Sequence, residues 1–281
     1  MAENDREKLI ALALAEDLGD GDVTAAFFTA ADALALARIV AREPGVAAGL
    51  AVAREVFLAV DPALDLSAGV SDGDRVECGD VVLEISGPTR SILSAERTAL
   101  NFLQRLSAVA TMARRYVDAV AGSGAVILDT RKTTPGWRQL EKAAVRAGGA
   151  RNHRMGLYDR VMVKDNHLAA EDGAQALQAA IAAVKRERPG ILVELEADTL
   201  AQVETFLGLE GVDIILLDNM SLDDLSAAVA RGKGRVELEA SGGVTLESVA
   251  GIAATGVDAI SVGALTHSAG SMDFSLELQR G

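Results

Sequence analysis

The sequence predicts an α/β protein in two parts: a small N-terminal unit on an antiparallel sheet, then an incomplete α/β barrel with fewer than eight strands. After Gly124, six short aliphatic runs alternate with apolar stretches of helical length, the rhythm of a parallel sheet with right-handed crossovers. Between Leu64 and Leu93 the texture is instead one of short strands separated by turn residues. Aromatic residues make up only 3% of a chain that is 49% hydrophobic, so its cores are packed by small aliphatic side chains, which suits helices lying on a sheet. The 281 residues suffice for one large domain or two moderate ones.

Residues 5–18 read as a helix with Asp5 as N-cap and Gly19 just past its end. Leu36-Ala37-Arg38-Ile39-Val40 reads as a strand, Val46-Ala47-Ala48 as a short glycine-bounded run, and residues 51–59 as a helix. Ser71-Asp72-Gly73-Asp74, Cys78-Gly79-Asp80 and Ser86-Gly87-Pro88 are turn signals around the run Val81-Val82-Leu83-Glu84-Ile85. Ser94 is expected to cap a long helix reaching about residue 121. The barrel strands are Val126-Ile127-Leu128, Val161-Met162-Val163, Leu192-Val193-Glu194-Leu195, Ile214-Ile215-Leu216-Leu217, Val236-Glu237-Leu238-Glu239 and Ile260-Ser261-Val262. Residues 174–184, 222–230 and 246–254 are the helices between them. The division falls at residues 1–108 and 109–269, and the alternating run Asp273-Phe274-Ser275-Leu276-Glu277-Leu278, within the tail 270–281, is expected to return to the first unit.

The acidic, polar opening Met1-Ala2-Glu3-Asn4-Asp5 does not resemble a signal peptide, and no apolar run reaches the ~20 residues of a membrane span. With Cys78 the single cysteine, neither an intrachain disulfide nor a cysteine-based zinc site is expected, and the chain reads as soluble and cytoplasmic. A net charge of −14 argues against a nucleic-acid partner. Yet between Asp129 and His167 nine Lys and Arg stand against four acids, a basic island in an acidic chain that points to a bound polyanion of limited size.

Polar residues follow each barrel strand: Asp129-Thr130-Arg131-Lys132, Lys164-Asp165-Asn166-His167, Glu196, Asp218-Asn219, Ser241-Gly242-Gly243, and Gly263-Ala264-Leu265-Thr266-His267. The C-terminal ends of the strands are where α/β barrels gather their chemistry. Polar groups repeatedly placed beside a sheet core cost stability, so the pattern favours an enzyme over a structural protein. Ser241-Gly242-Gly243, ahead of a helix expected to begin near Thr245, and Gly263-Ala264 offer bare backbone N–H groups to a phosphate. Glu196 and Asp218 end neighbouring strands; they suit Mg2+ on a pyrophosphate, ribose hydroxyls, or an ion pair with Arg131, Lys132 or Lys164. The three histidines share no helical metal spacing; His153 beside Arg154 reads as an anion contact, His267 as near the phosphate loop, and His167 as structural. Trp137 reads as packing.

Longer motifs add a resemblance. Asp129-Thr130-Arg131-Lys132-Thr133-Thr134-Pro135-Gly136, Gly148-Gly149-Ala150-Arg151-Asn152-His153-Arg154-Met155-Gly156-Leu157, Lys164-Asp165-Asn166-His167, Leu217-Asp218-Asn219-Met220, Glu239-Ala240-Ser241-Gly242-Gly243 and Ser261-Val262-Gly263-Ala264-Leu265-Thr266-His267 are similar to those of quinolinate phosphoribosyltransferases. Ala15-Glu16-Asp17-Leu18-Gly19 and Ala95-Glu96-Arg97-Thr98-Ala99-Leu100-Asn101 fit as well, so the resemblance spans the chain in order. It implies an N-terminal α/β sandwich joined by the C-terminal tail, an incomplete barrel, and at least a homodimer in which Arg97 serves the neighbouring site. It further implies that Arg131, His153, Arg154 and Lys164 hold quinolinate, with Thr130 beside them and Lys132 near the reacting centre. Glu196 and Asp218 would face ribose and Mg2+, and Ser241, Gly242, Gly243, Gly263, Ala264 and His267 would lie at the 5′-phosphate of phosphoribosyl pyrophosphate. A related molybdenum-associated protein, a nicotinate phosphoribosyltransferase, a Schiff-base aldolase and a non-enzymatic binder are the competing readings.

Overall fold

The computed structural model describes residues 3–164 and 173–279; Asp165, Asn166 and His167 lie outside the described residues. In chain order the first part comprises α1 (Glu3–Leu18), α2 (Val23–Phe28), β1 (Leu34–Ala41), β2 (Gly45–Val46), α3 (Leu50–Val60), β3 (Asp65–Ala68), β4 (Arg75–Val76), β5 (Val81–Pro88) and α4 (Thr89–Ala119). The second comprises β6 (Val126–Leu128), α5 (Arg138–Ala147), β7 (Val161–Val163), α6 (Ala174–Glu187), β8 (Val193–Ala197), α7 (Leu200–Leu207), β9 (Ile214–Asp218), α8 (Leu222–Gly232), β10 (Glu237–Ser241), α9 (Val249–Ala254), β11 (Ala259–Ser261), α10 (Ala264–His267) and β12 (Phe274–Gln279).

The chain divides into two compact units. The first, of residues 1–114, 134–149 and 268–281, is built on an antiparallel sheet ordered β12-β1-β5-β3. Its apolar side buries Ile39, Leu83 and Ile85 completely, together with Phe57 and Leu103 from the helices. The closing run pairs as β12 along β1, from Leu36 opposite Gln279 to Ala41 opposite Phe274.

Two expected caps are corrected. Asp5 lies inside α1, which is already helical at Glu3. Ser94 lies in the second turn of α4, because the helix starts directly after β5, where the Thr89 N–H donates to the Ala33 carbonyl. The Ser94 hydroxyl instead donates to Asp22, the residue that caps α2 by accepting from the Ala25 N–H.

α4 also runs through the division expected at residue 108, and residues 134–149 cluster with the first unit. Close packing explains that placement. A Cβ on Gly148 would overlap the carbonyl oxygen of Ala110, so only glycine lets α5 end so near α4. Trp137 stacks on Phe102 with ring centroids 4.6 Å apart, and buried Glu141 binds Arg105 at 3.1 Å. Glu141 also accepts from the Thr134 N–H and hydroxyl, tying down the turn ahead of α5.

The second unit, residues 115–133 and 150–267, holds a six-stranded parallel sheet ordered β6-β11-β10-β9-β8-β7. Consecutive strands from β7 to β11 are neighbours, and β11 comes back to β6. Such a sheet curls round as a barrel does but leaves one seam, between β6 and β7. Arg151 partly fills it by a bridge to Leu128 of β6. Along each strand alternate residues face alternate sides. Leu195, Ile215, Leu217 and Leu238 form the buried apolar set of one side. The register pairs Glu196 with Leu216, Leu216 with Glu239, and Asp218 with Ser241 on the other. Among the described residues no helix is long and apolar enough to cross a membrane.

Candidate active site

The strand ends of the second unit enclose a cavity of about 400 Å³, within the size range of small-molecule sites. Thr130, Arg131 and Lys132 reach it from beyond β6, Lys164 from beyond β7, Glu196 from β8, Asp218 from β9, and Ser241, Gly242 and Gly243 from β10 and its loop. His153 and Arg154 enter from the segment that occupies the barrel seam. Asp129, fully buried at the end of β6, fixes that segment by accepting from Asn152 Nδ2 at 2.7 Å and from the His153 N–H at 2.8 Å. The Lys132 carbonyl accepts from the Thr266 hydroxyl at 2.7 Å, which anchors the basic run at its other end.

The electrostatics are those of a site built for anions. Burial, and then the neighbouring positive charge of Arg131, hold the Arg154 guanidinium below its usual pKa. Two arginines crowding one mouth repel each other until an anion binds. Of the alternatives open for Glu196, the ion pair is the contact present in this structure: its carboxylate accepts from Lys164 Nζ. A salt-bridged ammonium is a poor amine nucleophile, which argues against Lys164 as a Schiff-base lysine.

Asp218 accepts from Asn219 Nδ2 at 2.6 Å. Asn219 has φ 53°, the only non-glycine residue with positive φ among the described residues, and its N–H donates to the Ser241 carbonyl at 2.9 Å. Asparagine tolerates this left-handed conformation better than other side chains. Gly242 has φ 96°, and a Cβ there would overlap Asn219 Oδ1, so the two residues interlock. The loop after β10 differs from expectation. A turn over residues 245–248 intervenes, and α9 begins only at Val249. Backbone N–H groups of the Ser241-Gly242-Gly243 loop, rather than a helix end, are what it offers a phosphate.

The remaining candidates lie elsewhere. Gly263, Ala264 and His267 are not among the cavity-lining residues. Gly263 stands between Lys132 and His267: a Cβ on it would lie 3.0 Å from Lys132 Cδ and 3.1 Å from His267 Nε2. Arg97 is exposed on α4 of the first unit. His153 reaches the cavity wall, but its Nε2 is turned to Glu194 and Glu239, an orientation that the reading of His153 as an anion contact did not foresee. Glu239 and Asn219 line the cavity and were not among the candidates. The signal for the first was present: in Glu237-Leu238-Glu239-Ala240-Ser241, Glu239 shares the face of Ser241 by simple alternation.

The fold and this site together define an α/β-barrel enzyme for small anionic substrates. The family model described as quinolinate phosphoribosyl transferase, N-terminal domain, matches residues 22–107, and its C-terminal counterpart matches residues 109–277. Quinolinate phosphoribosyltransferase [decarboxylating] 1b of Nicotiana tabacum is 42% identical over 98% of this chain and 82% of its own length. A probable nicotinate-nucleotide pyrophosphorylase [carboxylating] of Bacillus subtilis is 40% identical, covering 97% and 93%. The solved nicotinate-nucleotide pyrophosphorylase of Francisella tularensis superposes with a TM-score of 0.93 at 37% identity, covering 99% of this chain and 98% of that one. The chain belongs to the quinolinate phosphoribosyltransferase family.

Proposed function

We infer that the chain transfers the phosphoribosyl group of phosphoribosyl pyrophosphate to quinolinate, yielding nicotinate mononucleotide, carbon dioxide and pyrophosphate, a step of de novo NAD biosynthesis. Beyond family membership, one observation carries the assignment to this pocket: Arg131, Lys132, Arg154 and Lys164 gather at one barrel mouth. Quinolinate brings two carboxylates, and its co-substrate a phosphate and a pyrophosphate, enough negative charge to balance them. Incubation with both substrates and magnesium should release carbon dioxide and nicotinate mononucleotide together. Pyrophosphate release with nicotinate but not with quinolinate would sink the assignment.

In this reading Arg131 and Arg154 grip the quinolinate carboxylates, with Lys164, His153 and Thr130 completing the wall; guanidinium forks match planar carboxylates. The Ser241-Gly242-Gly243 loop takes the 5′-phosphate, assisted by Gly263, Ala264 and His267. The pyridine nitrogen attacks ribose C1 as the C1–oxygen bond to pyrophosphate breaks, and Lys132 lies close to the charge that moves. The resulting pyridinium then draws in the electron pair of the adjacent carbon–carboxylate bond, so carbon dioxide leaves and a proton takes its place on the ring. No protein nucleophile is required. Glu196 and Asp218, oxygen donors at the ends of neighbouring strands, would be the residues to hold a Mg2+ ion. That ion would supply positive charge to the departing pyrophosphate. The pair also suits the ribose hydroxyls.

The working unit is a homodimer in which Arg97 reaches the neighbouring site, and the location is cytoplasmic. Supporting the first is the exposed position of Arg97 on α4, and supporting the second a single, unpaired cysteine, Cys78.

Gly242→Ala is expected to lower kcat/KM for phosphoribosyl pyrophosphate by roughly 100-fold, because displacing Asn219 misplaces both the phosphate loop and Asp218. Steady-state kinetics at saturating quinolinate read the effect. A variant within about threefold of the parent would detach this loop from the site.

A further inference from the structure

At the wall of the cavity, buried polar side chains from several parts of the barrel face one another. Glu194 of β8 and Glu239 of β10 are completely buried, and His153 is 6% exposed. Arg160, just ahead of β7, places Nη1 3.2 Å from Glu194 Oε2 and 4.0 Å from Glu239 Oε2. His153 Nε2 lies 3.2 Å from Glu194 Oε2 and 3.5 Å from Glu239 Oε1. On the opposite edge of the ring, Nδ1 accepts from the Arg154 N–H at 2.7 Å. A neutral ring accepting at Nδ1 carries its proton on Nε2, aimed at the carboxylates. Arg160 then donates to Glu194 rather than to the ring.

With both acids ionised, this cluster would hold two negative charges against one guanidinium. Neither oxygen of Glu239 completes a hydrogen bond among the described residues. A buried carboxylate in that condition is strongly disfavoured, so something positive must join it. A metal ion is one answer, since ligand atoms of His153, Glu194 and Glu239 lie within 4.8 Å of one another. Arg160 argues against it: Nη1 is 3.2 Å from both His153 Nε2 and Glu194 Oε2, so a metal bonded to those two atoms would press against a guanidinium. A proton needs no such space.

We propose that Glu239 is a positioning residue for the reaction: its carboxyl, kept as the neutral acid, balances the Glu194, Arg160 and His153 cluster and so fixes His153, and with it Arg154, at the cavity wall. The inference rests on the reading of this cavity as the active site. Burial, reinforced by the charge of Glu194, pushes the Glu239 pKa up to about 7, with His153, the Ser261 hydroxyl and Arg160 opposing. These are the groups that face it, from β8, β11 and the segment leading into β7. Loss of the proton therefore falls inside the assayable range. It would draw His153 Nε2–H and Arg160 toward Glu239, loosening the segment that carries Arg154.

The test follows ring nitrogens of the three histidines by NMR in the intact protein, alongside pH profiles. His153 is expected as the Nε2–H tautomer, its signals following the Glu239 proton with a midpoint near pH 7. In Glu239→Gln, which keeps the shape and the uncharged state, that shift should vanish. The decline of kcat/KM for quinolinate between about pH 7 and 9 should flatten at least fivefold, while the value at about pH 6.5 stays within roughly threefold of the parent. Parent His153 signals flat from about pH 6 to 8, or an unaltered shift in the variant, would overturn the proposal. So would a loss beyond about 30-fold at pH 6.5 in a normally folded variant, or one equivalent of Zn2+ taken up at the His153 signals. If Glu239→Gln does not fold, the parent signals alone decide. A parent that makes no nicotinate mononucleotide at any pH would instead refute the functional reading, leaving the histidine measurement to judge the proton separately.

Discussion

Arg131→Ala is expected to reduce kcat/KM for quinolinate by roughly 30- to several-thousand-fold, about 2–5 kcal/mol of transition-state binding. The size follows from what surrounds the residue. Arg131 lines the cavity beside Arg154, and its charge is one cause of the depressed Arg154 pKa. On the proposed assignment a dicarboxylate between them would relieve that repulsion, so removing one guanidinium would forfeit both its own bidentate contact and the relief. Arg131→Lys should recover only part of the loss, since an ammonium restores charge without the fork. The side chain is partly exposed at the mouth, so thermal unfolding should barely change. Parent-like kinetics in Arg131→Ala would remove it from the site.

Glu194→Ala should have the largest effect on stability, a loss of about 3–5 kcal/mol in the free energy of unfolding. It leaves Arg160 without its 3.2 Å partner in a buried cluster. The lower end of that range is expected, because Glu239 no longer faces the Glu194 charge and can ionise toward Arg160, 4.0 Å away. The double variant Glu194→Ala/Glu239→Gln blocks that compensation and should cost more than the two single changes added together. Urea titrations measure all three, and simple additivity would contradict the proposed compensation.

The pH dependence carries the same signature. Glu239 has a folded-state pKa raised from 4.5 to about 7, so the folded protein holds a proton that the unfolded chain releases in between. Its contribution is complete below pH 4.5 and is lost as pH rises to about 7, on the order of 3 kcal/mol at 1.36 kcal/mol per unit. Glu239→Gln removes that loss and should be the more stable protein at about pH 8.

What could be read from the residues was mostly what lies at strand ends. Short aliphatic runs such as Ile214-Ile215-Leu216-Leu217 announce a strand, and Asp218-Asn219 behind them announces where its chemistry points. Glu194 and Glu239 escaped because an acid within a strand reads as a solvent-facing position when the sheet has one wet side. In a sheet curled into a barrel the second side is the interior, and the same alternation buries the acid. Residues 138–147 fall on the barrel side of the expected division, and chain order alone does not show that their helix ends against α4; the packing of Gly148 on Ala110 does. The cap at Ser94 failed for a local reason: Pro88 closes β5 and the helix follows at once. Substrate identity came from motif likeness, since a cationic mouth describes the charge of its ligand and not its ring.

The seam between β6 and β7 has an evolutionary corollary. In a fully closed barrel, recognition groups ride on the tops of the staves, so altering the ligand means altering parts that also hold the sheet together. Here His153 and Arg154 arrive through a gap, on a segment fastened to the scaffold by Asp129 and the bridge at Arg151. Ligand choice is thereby made modular. Outside the residues tied to Asp129, Glu194 and Glu239, that stretch can vary while all six strands stay as they are, and this gives selection, or an engineer, a place to redirect the barrel toward a different acid without rebuilding it.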